Sequence, residues 1–242
     1  MRQLVIAHRG FSAIAPENTL LAFQKARDVG ADGIEIDVHL TGDGEVVVLH
    51  DEKVNRTTNG SGYVGDMTLA QVQELDAGSW FSAEAAGQRI PTLEQVCAFV
   101  ADWGGWFNIE IKTTHRRYDG IEQKVLDLIR AYNIVDQVFI SSFNHESLRL
   151  VRELDPSIAT AALYSEQLHE PWNYVKTFSA NALHPAHRTV TAEVVSKAHA
   201  AGIAVRPWTI DDPEAGRMFF NYGIDAIITN RPDLMLQVLG RA

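Results

Sequence analysis

The chain has 242 residues, of which 46% are hydrophobic and 21% charged, and its formal net charge is −10. The length suits one large domain, since a single α/β barrel commonly needs about 250 residues. The acidic balance excludes a general nucleic-acid binder, which needs a basic face. No apolar run approaches the roughly 18 residues of a membrane helix, so no stable membrane association is expected. The lone Cys97 excludes an internal disulfide framework and suits a reducing cytoplasm, as does a start, Met1-Arg2-Gln3-Leu4, that leads straight into a strand-like run without a signal-peptide core.

Strand-like and helix-like segments alternate along the chain. A strand over 4–8 precedes a helix over 18–29, and a strand over 33–40 is followed by a second extended run over 46–50. A helix over 92–103 leads to a strand over 106–112, then come helix 120–132, strand 138–143 and helix 144–154. Strand 158–164 pairs with a weaker helix near 171–178, strand 182–184 with helix 191–201, strand 203–209 with helix 213–222, and strand 225–229 with helix 232–239. Thr92-Leu93-Glu94-Gln95 reads as a capping box. Pro213 and Pro232 stand where a first helical residue would, and Gly30, Gly202 and Gly223 where helices stop. Eight alternating units imply a parallel sheet covered by helices, and favour a closed (β/α)8 TIM barrel over an open doubly wound sheet. No Gly-x-Gly-x-x-Gly follows the first strand, which removes the main support for a dinucleotide fold. Residues 51–91 break the rhythm with turn formers such as Thr57-Thr58-Asn59-Gly60. They read as a small insertion after the second strand, inside one domain spanning 1–242, at the barrel mouth where they could roof a site.

Side chains alternate along a strand. In Gly33–Leu40, Ile34, Ile36 and Val38 would face the outer helices, and Glu35, Asp37 and His39 would face inward. In 106–112 the same alternation puts Asn108, Glu110 and Lys112 on one side. Inward carboxylates in a barrel are costly unless paired or metal-bound. Glu35, Asp37 and Glu110 therefore read as a hard oxygen-ligand site for Mg²⁺ or Ca²⁺, or as interior salt bridges with Lys112 and Arg9. His8 and His50 end two extended runs beside this cluster, and such a pair can supply the base and the acid that phosphodiester cleavage needs. Arg9 and Lys112 are fixed cations for a phosphate. Phe143 and Trp208, at later strand ends, either pack the barrel or wall a small organic group. His115, His145, His169, His187 and His199 read as surface residues, His39 and His184 as undecided, Asn18 as a helix N-cap and Glu17 as a brace for His8 or Arg9.

Taken in order, the strings His8-Arg9-Gly10, Pro16-Glu17-Asn18-Thr19, Glu35-Ile36-Asp37-Val38, His50-Asp51, Arg56-Thr57-Thr58-Asn59-Gly60, Asn108-Ile109-Glu110-Ile111-Lys112 and Ser141-Ser142-Phe143 resemble the glycerophosphodiester phosphodiesterase family over nearly the whole chain. The resemblance implies a TIM barrel with a small insertion. It also implies metal-dependent hydrolysis of small glycerophosphodiesters, such as glycerophosphocholine or glycerophosphoethanolamine, to sn-glycerol 3-phosphate and an alcohol. By motif match, His8 and His50 become the acid–base pair; Glu35, Asp37 and Glu110 the ligands of Mg²⁺ or Ca²⁺; and Arg9 and Lys112 the phosphate contacts, with Phe143 and Trp208 a glycerol-side wall. The rivals are a related barrel phospholipase acting on lysophospholipids and a non-catalytic barrel that binds a phosphate ligand. The sequence departs from the family's pattern at His184-Pro185, at Arg206-Pro207, at Asp211, where Asn is frequent, and at Asn230, where Asp is frequent.

Overall fold

The computed structural model describes residues 2–241. Eight parallel strands run around a nearly closed barrel in the order β8-β7-β6-β5-β4-β2-β1-β9. They are β1 (Leu4–His8), β2 (Gly33–Leu40), β4 (Trp106–Ile111), β5 (Val138–Ser142), β6 (Ala159–Tyr164), β7 (Ala182–Pro185), β8 (Ala204–Val205) and β9 (Ala226–Thr229). The gap between β8 and β9 is bridged by backbone bonds, with Asp225 N–H donating to the Val205 carbonyl at 3.0 Å and Ile228 N–H to that of Pro207 at 3.1 Å. The expected strand over 203–209 is thus cut to a short β8. Pro207 has no N–H to donate, so the ladder is interrupted there, with the proline serving only as an acceptor, and pairing resumes at Trp208, whose N–H donates to the Pro185 carbonyl at 3.1 Å.

Helices follow the strands as the alternation predicts: α1 (Leu20–Asp28), α3 (Leu93–Trp103), α4 (Ile121–Ala131), α5 (His145–Leu154), α6 (Pro171–Tyr174), α7 (Ala192–Ala200), α8 (Pro213–Tyr222) and α9 (Pro232–Val238). Thr92 closes a reciprocal capping box with Gln95 at the start of α3, and Pro213 and Pro232 occupy first helical positions. The helix expected from 18 starts later. Thr19, not Asn18, is its N-cap, accepting from Ala22 N–H, while Asn18 adopts a left-handed backbone with φ 57°. That conformation frees the Asn18 side chain to point elsewhere.

The core lies between strands and helices. Ile34, Ile36 and Val38 of β2 and Phe107, Ile109 and Ile111 of β4 pack against Phe23, Leu93, Val96 and Val100, all essentially inaccessible. Burying one such aromatic ring contributes several kcal/mol, so Phe107→Ala is expected to lower the unfolding free energy by about 3–5 kcal/mol. Urea unfolding checks this, and a loss under about 1 kcal/mol would mean the wall of β4 is not packed as described.

The extended run after β2 returns as β3 (Val46–Val48), antiparallel to β2. Leu49 N–H donates to the Asp37 carbonyl at 3.0 Å, which carries His50 back to the barrel mouth. Residues 51–91 then form a small lobe containing α2 (Leu69–Glu74), with its own apolar cluster of Val47, Leu49, Val54, Val64, Val72, Ala77 and Ile90. Its two ends meet, since Val48 N–H donates to the Pro91 carbonyl at 2.9 Å. Among the described residues no helix is long and apolar enough to cross a membrane.

Candidate active site

Register brings the carboxylates together. Strand β2 pairs with β4 so that Asp37 lies opposite Glu110 and Glu35 opposite Asn108, and β1 places His8 beside Glu35. Glu35, Asp37 and Glu110 are buried, and each offers an oxygen within 4.8 Å of the others. Both readings of this cluster are visible in one geometry. Lys112 Nζ lies 2.8 Å from Glu110 Oε1 and 3.2 Å from Asp37 Oδ1, and Arg9 Nε lies 3.4 Å from Asp37 Oδ2. Yet two cations against three carboxylates leave an excess of negative charge. Among the described residues, Asn108 Oδ1, opposite Glu35, is buried without a hydrogen-bond donor. An oxygen-rich, negative cluster beside an orphaned acceptor fits a hard divalent cation.

The electrostatics say the same. Burial, followed by repulsion from Asp37 and Glu110, pushes the Glu35 carboxyl well above its ordinary range. Burial also raises Glu110 to about 7, although Lys112 opposes it. Asp37 is the exception: burial would raise it, but Lys112 and Arg9 outweigh that and hold it ionised. Asn18 Nδ2 adds a 2.9 Å hydrogen bond to Asp37 Oδ2, the use to which its left-handed backbone puts it.

The two histidines are held by different partners. Asn230 Nδ2 donates to Asp211 Oδ2 at 2.7 Å, and because a carboxylate only accepts, this turns Asn230 Oδ1 toward His8 Nδ1, 2.7 Å away. His8 therefore carries its proton on Nδ1 and presents the Nε2 lone pair toward the cluster, 3.9 Å from Glu35 Oε2. Burial first, and then Arg9, lower His8 to about 4. His50 Nδ1 instead faces the Asp51 carboxylate at 2.6 Å. Burial lowers His50 as well, against the pull of Asp37 and Asp51.

A cavity of about 60 Å³ at the mouth is lined by His8, Arg9, Glu35, His50, Asn108, Glu110, Lys112, Phe143, Leu163, Trp208 and Ile228. It adjoins a wider one of about 630 Å³, which shares His50, Glu110, Lys112 and Phe143 and adds Asp51, Glu52, Lys53, Tyr63 and His115 from the lobe and the loop after β4. The Phe143 and Trp208 rings meet edge to face at 5.7 Å. Every site residue expected from sequence thus lines one cavity or, in the case of Asp37, contacts the lining residues Arg9 and Lys112.

Some residues were missed. Glu17 braces Arg9 as expected, through a 2.9 Å bond from Nη1, but Arg56 and Asp51 complete that assembly. Asp211 and Asn230, visible in sequence only as departures from a pattern, orient His8. The undecided His39 is buried, 3.1 Å from the His50 carbonyl, and His184 is buried against Phe139. His145, expected at the surface, is half-buried: its Nε2 lies 2.8 Å from the Leu163 carbonyl and its ring stacks on Phe178.

A parallel barrel that gathers two histidines, an arginine, a lysine and a buried carboxylate cluster at the carboxyl ends of its strands has the inventory of a hydrolase of phosphoric diesters. Comparison with known proteins gives the same answer. The sequence matches the Glycerophosphoryl diester phosphodiesterase family over residues 8–234. It is 45% identical to a glycerophosphodiester phosphodiesterase of Caldanaerobacter subterraneus subsp. tengcongensis, covering 99% of this chain and 98% of the other, and 42% identical to one from Bacillus altitudinis, covering 97% of each. Among solved structures, a phosphodiesterase of Oleispira antarctica in complex with the product sn-glycerol-3-phosphate superposes with a TM-score of 0.91 at 32% identity, covering 99% of this chain and 97% of that one. The chain belongs to the glycerophosphoryl diester phosphodiesterase family and is an enzyme with that family's glycerophosphodiesterase activity.

Proposed function

We propose that the enzyme hydrolyses small glycerophosphodiesters, such as glycerophosphocholine and glycerophosphoethanolamine, to sn-glycerol 3-phosphate and the alcohol, with Mg²⁺ or Ca²⁺ as cofactor. The observation that carries this is the joining of the two cavities. The narrow one, walled by Phe143 and Trp208, suits the glycerol side, and the wide one leaves room for alcohols of different size. The product bound by the Oleispira antarctica relative supports the assignment of the glycerol side. The enzyme's setting is the cytoplasm, in keeping with its single, buried Cys97 thiol.

Arg9 and Lys112 hold the phosphate at the junction of the cavities and stabilise the charge that develops on its oxygens. His8, kept neutral by burial and with Nε2 free, takes the proton of the attacking oxygen. His50, whose imidazolium is supported by Asp51, returns a proton to the departing alkoxide. Glu35, Asp37 and Glu110 would hold the divalent cation, which supplies Lewis-acid polarisation of the phosphoryl oxygens when bound.

The test is release of sn-glycerol 3-phosphate from glycerophosphocholine by purified protein with Mg²⁺ or Ca²⁺. Folded protein that releases none with either ion would end this reading. Trp208→Ala removes most of the glycerol-side wall, and KM is expected to rise about tenfold, equivalent to 1.4 kcal/mol of lost contact. An unchanged KM would place the glycerol elsewhere.

A further inference from the structure

Arg56 lies in the lobe, outside both cavity linings, and its side chain is 45% exposed. It nevertheless makes four short hydrogen bonds to two carboxylates. Nη1 donates to Glu17 Oε2 at 2.7 Å and Nη2 to Glu17 Oε1 at 2.8 Å. Nε donates to Asp51 Oδ2 at 2.7 Å and Nη2 to Asp51 Oδ1 at 3.2 Å. Each carboxylate passes the constraint on. Glu17 Oε1 also accepts from Arg9 Nη1 at 2.9 Å, and Asp51 Oδ1 also faces His50 Nδ1 at 2.6 Å. Glu17 belongs to the loop between β1 and α1, whereas Asp51 and Arg56 belong to the lobe, so one guanidinium ties the lobe to the barrel. Exposed ion pairs add little to global stability. A planar fork that satisfies two carboxylates at once is instead suited to fixing direction, because its geometry allows one arrangement.

We propose that Arg56 is a positioning residue that sets His50 and Arg9 at their working separation, through Asp51 and Glu17 respectively. It touches no substrate. It aligns a proton-transfer group and a phosphate-binding group that come from different parts of the chain, so the lobe is part of the catalytic apparatus and not only a roof. This rests on the phosphodiesterase reading above.

Arg56→Met and Arg56→Lys test it. In Arg56→Met, kcat for glycerophosphocholine is expected to fall about 10–100-fold with a smaller change in KM, because a misaligned His50 costs turnover more than binding. Arg56→Lys, a point charge that serves one carboxylate at a time, should fall between Arg56→Met and the parent. The double variant Asp51→Asn/Arg56→Met should be no slower than the slower single variant, since both act on one chain of contacts. Hydrogen exchange of the amides in residues 51–60 should quicken in Arg56→Met while the rest of the barrel is unchanged. A kcat within threefold of the parent in Arg56→Met, a rise in KM alone, or a loss that only tracks the fraction of unfolded protein would overturn the proposal. The exchange measurement needs no turnover. If the parent releases no product, the phosphodiesterase reading falls, and unchanged exchange at 51–60 overturns the clamp separately.

Discussion

His8→Ala and His50→Ala are each expected to lower kcat by about 10²–10⁴-fold, the usual contribution of a positioned acid or base. The double variant should lose much less than the product of the two, because removing either histidine already breaks the proton path. Both side chains sit at strand ends at the mouth and not in the apolar layer between strands and helices, so unfolding midpoints should stay close to the parent's. The pH dependence carries the roles. A base must be neutral to act, so the rate rises with pH through the His8 value, which burial and Arg9 lower to about 4. An acid must be protonated, so the rate falls as pH rises through the His50 value. The acid limb of kcat/KM should therefore lie below the ordinary histidine value of about 6.5, and His8→Ala should abolish it. Steady-state rates of glycerol 3-phosphate release between pH 4 and 9, with Mg²⁺ held saturating at every pH so that ion binding does not contribute a limb of its own, measure both. Turnover within a few-fold of the parent in either single variant would dismiss the pair, and an acid limb that survives in His8→Ala would remove His8 as the base.

The barrel and most of its site were legible because one period encodes both. In Gly33–Leu40 the even positions Ile34, Ile36 and Val38 are the packing face, so the odd positions Glu35 and Asp37 have nowhere to go but inward. The same arithmetic places Glu110 beside them once β2 and β4 pair. Capping chemistry was equally local, as Thr92 with Gln95 shows. What escaped was contact between loops. Nothing in the order Glu17, Asp51, Arg56 reveals that three loop side chains meet, since loop paths follow from tertiary packing and not from a repeat. Asn18 was misread for a related reason. An asparagine before a helix is usually its cap, but here Thr19 caps the helix by accepting from Ala22 N–H, and a left-handed Asn18 reaches Asp37 instead. Asp211 and Asn230 were noticed separately as two departures, and only the 2.7 Å bond between them explains both. Pro207 could be recognised as incompatible with an interior strand, but not how the barrel would tolerate it, by ending β8 at Val205.

Removing the divalent ion is expected to abolish turnover, and restoring Mg²⁺ or Ca²⁺ to recover it. The carboxylates make a sharper prediction through protons. Glu35 lies well above the usual carboxylate range and Glu110 at about 7, so below neutrality part of the cluster carries protons that a cation must displace. As pH rises through 7 those protons leave, and the ion binds more tightly. The ion therefore adds more stability at pH 8 than at pH 6, since the gain follows the ratio of ion concentration to Kd. The bare pH dependence of stability would not show this cleanly. His8, His39 and His184 all titrate below their ordinary value, so each makes the fold less stable as pH falls below about 6.5, the opposite direction to Glu110. The increment on adding ion at fixed pH cancels most of that background. The rise in Tm on adding Mg²⁺ to EDTA-treated protein should be clearly larger at pH 8 than at pH 6. In Glu110→Gln, which cannot ionise, the rise should be small at both pH values and turnover should be lost. Equal increments at the two pH values in the parent would mean that the cation binds without displacing these protons, and would move it away from Glu35, Asp37 and Glu110. Increments that persist undiminished in Glu110→Gln would do the same for Glu110 alone. The outcome decides between the two forms of chemistry open to this cluster, a cation seat flanked by Arg9 and Lys112 or a closed set of salt bridges made by those same two residues.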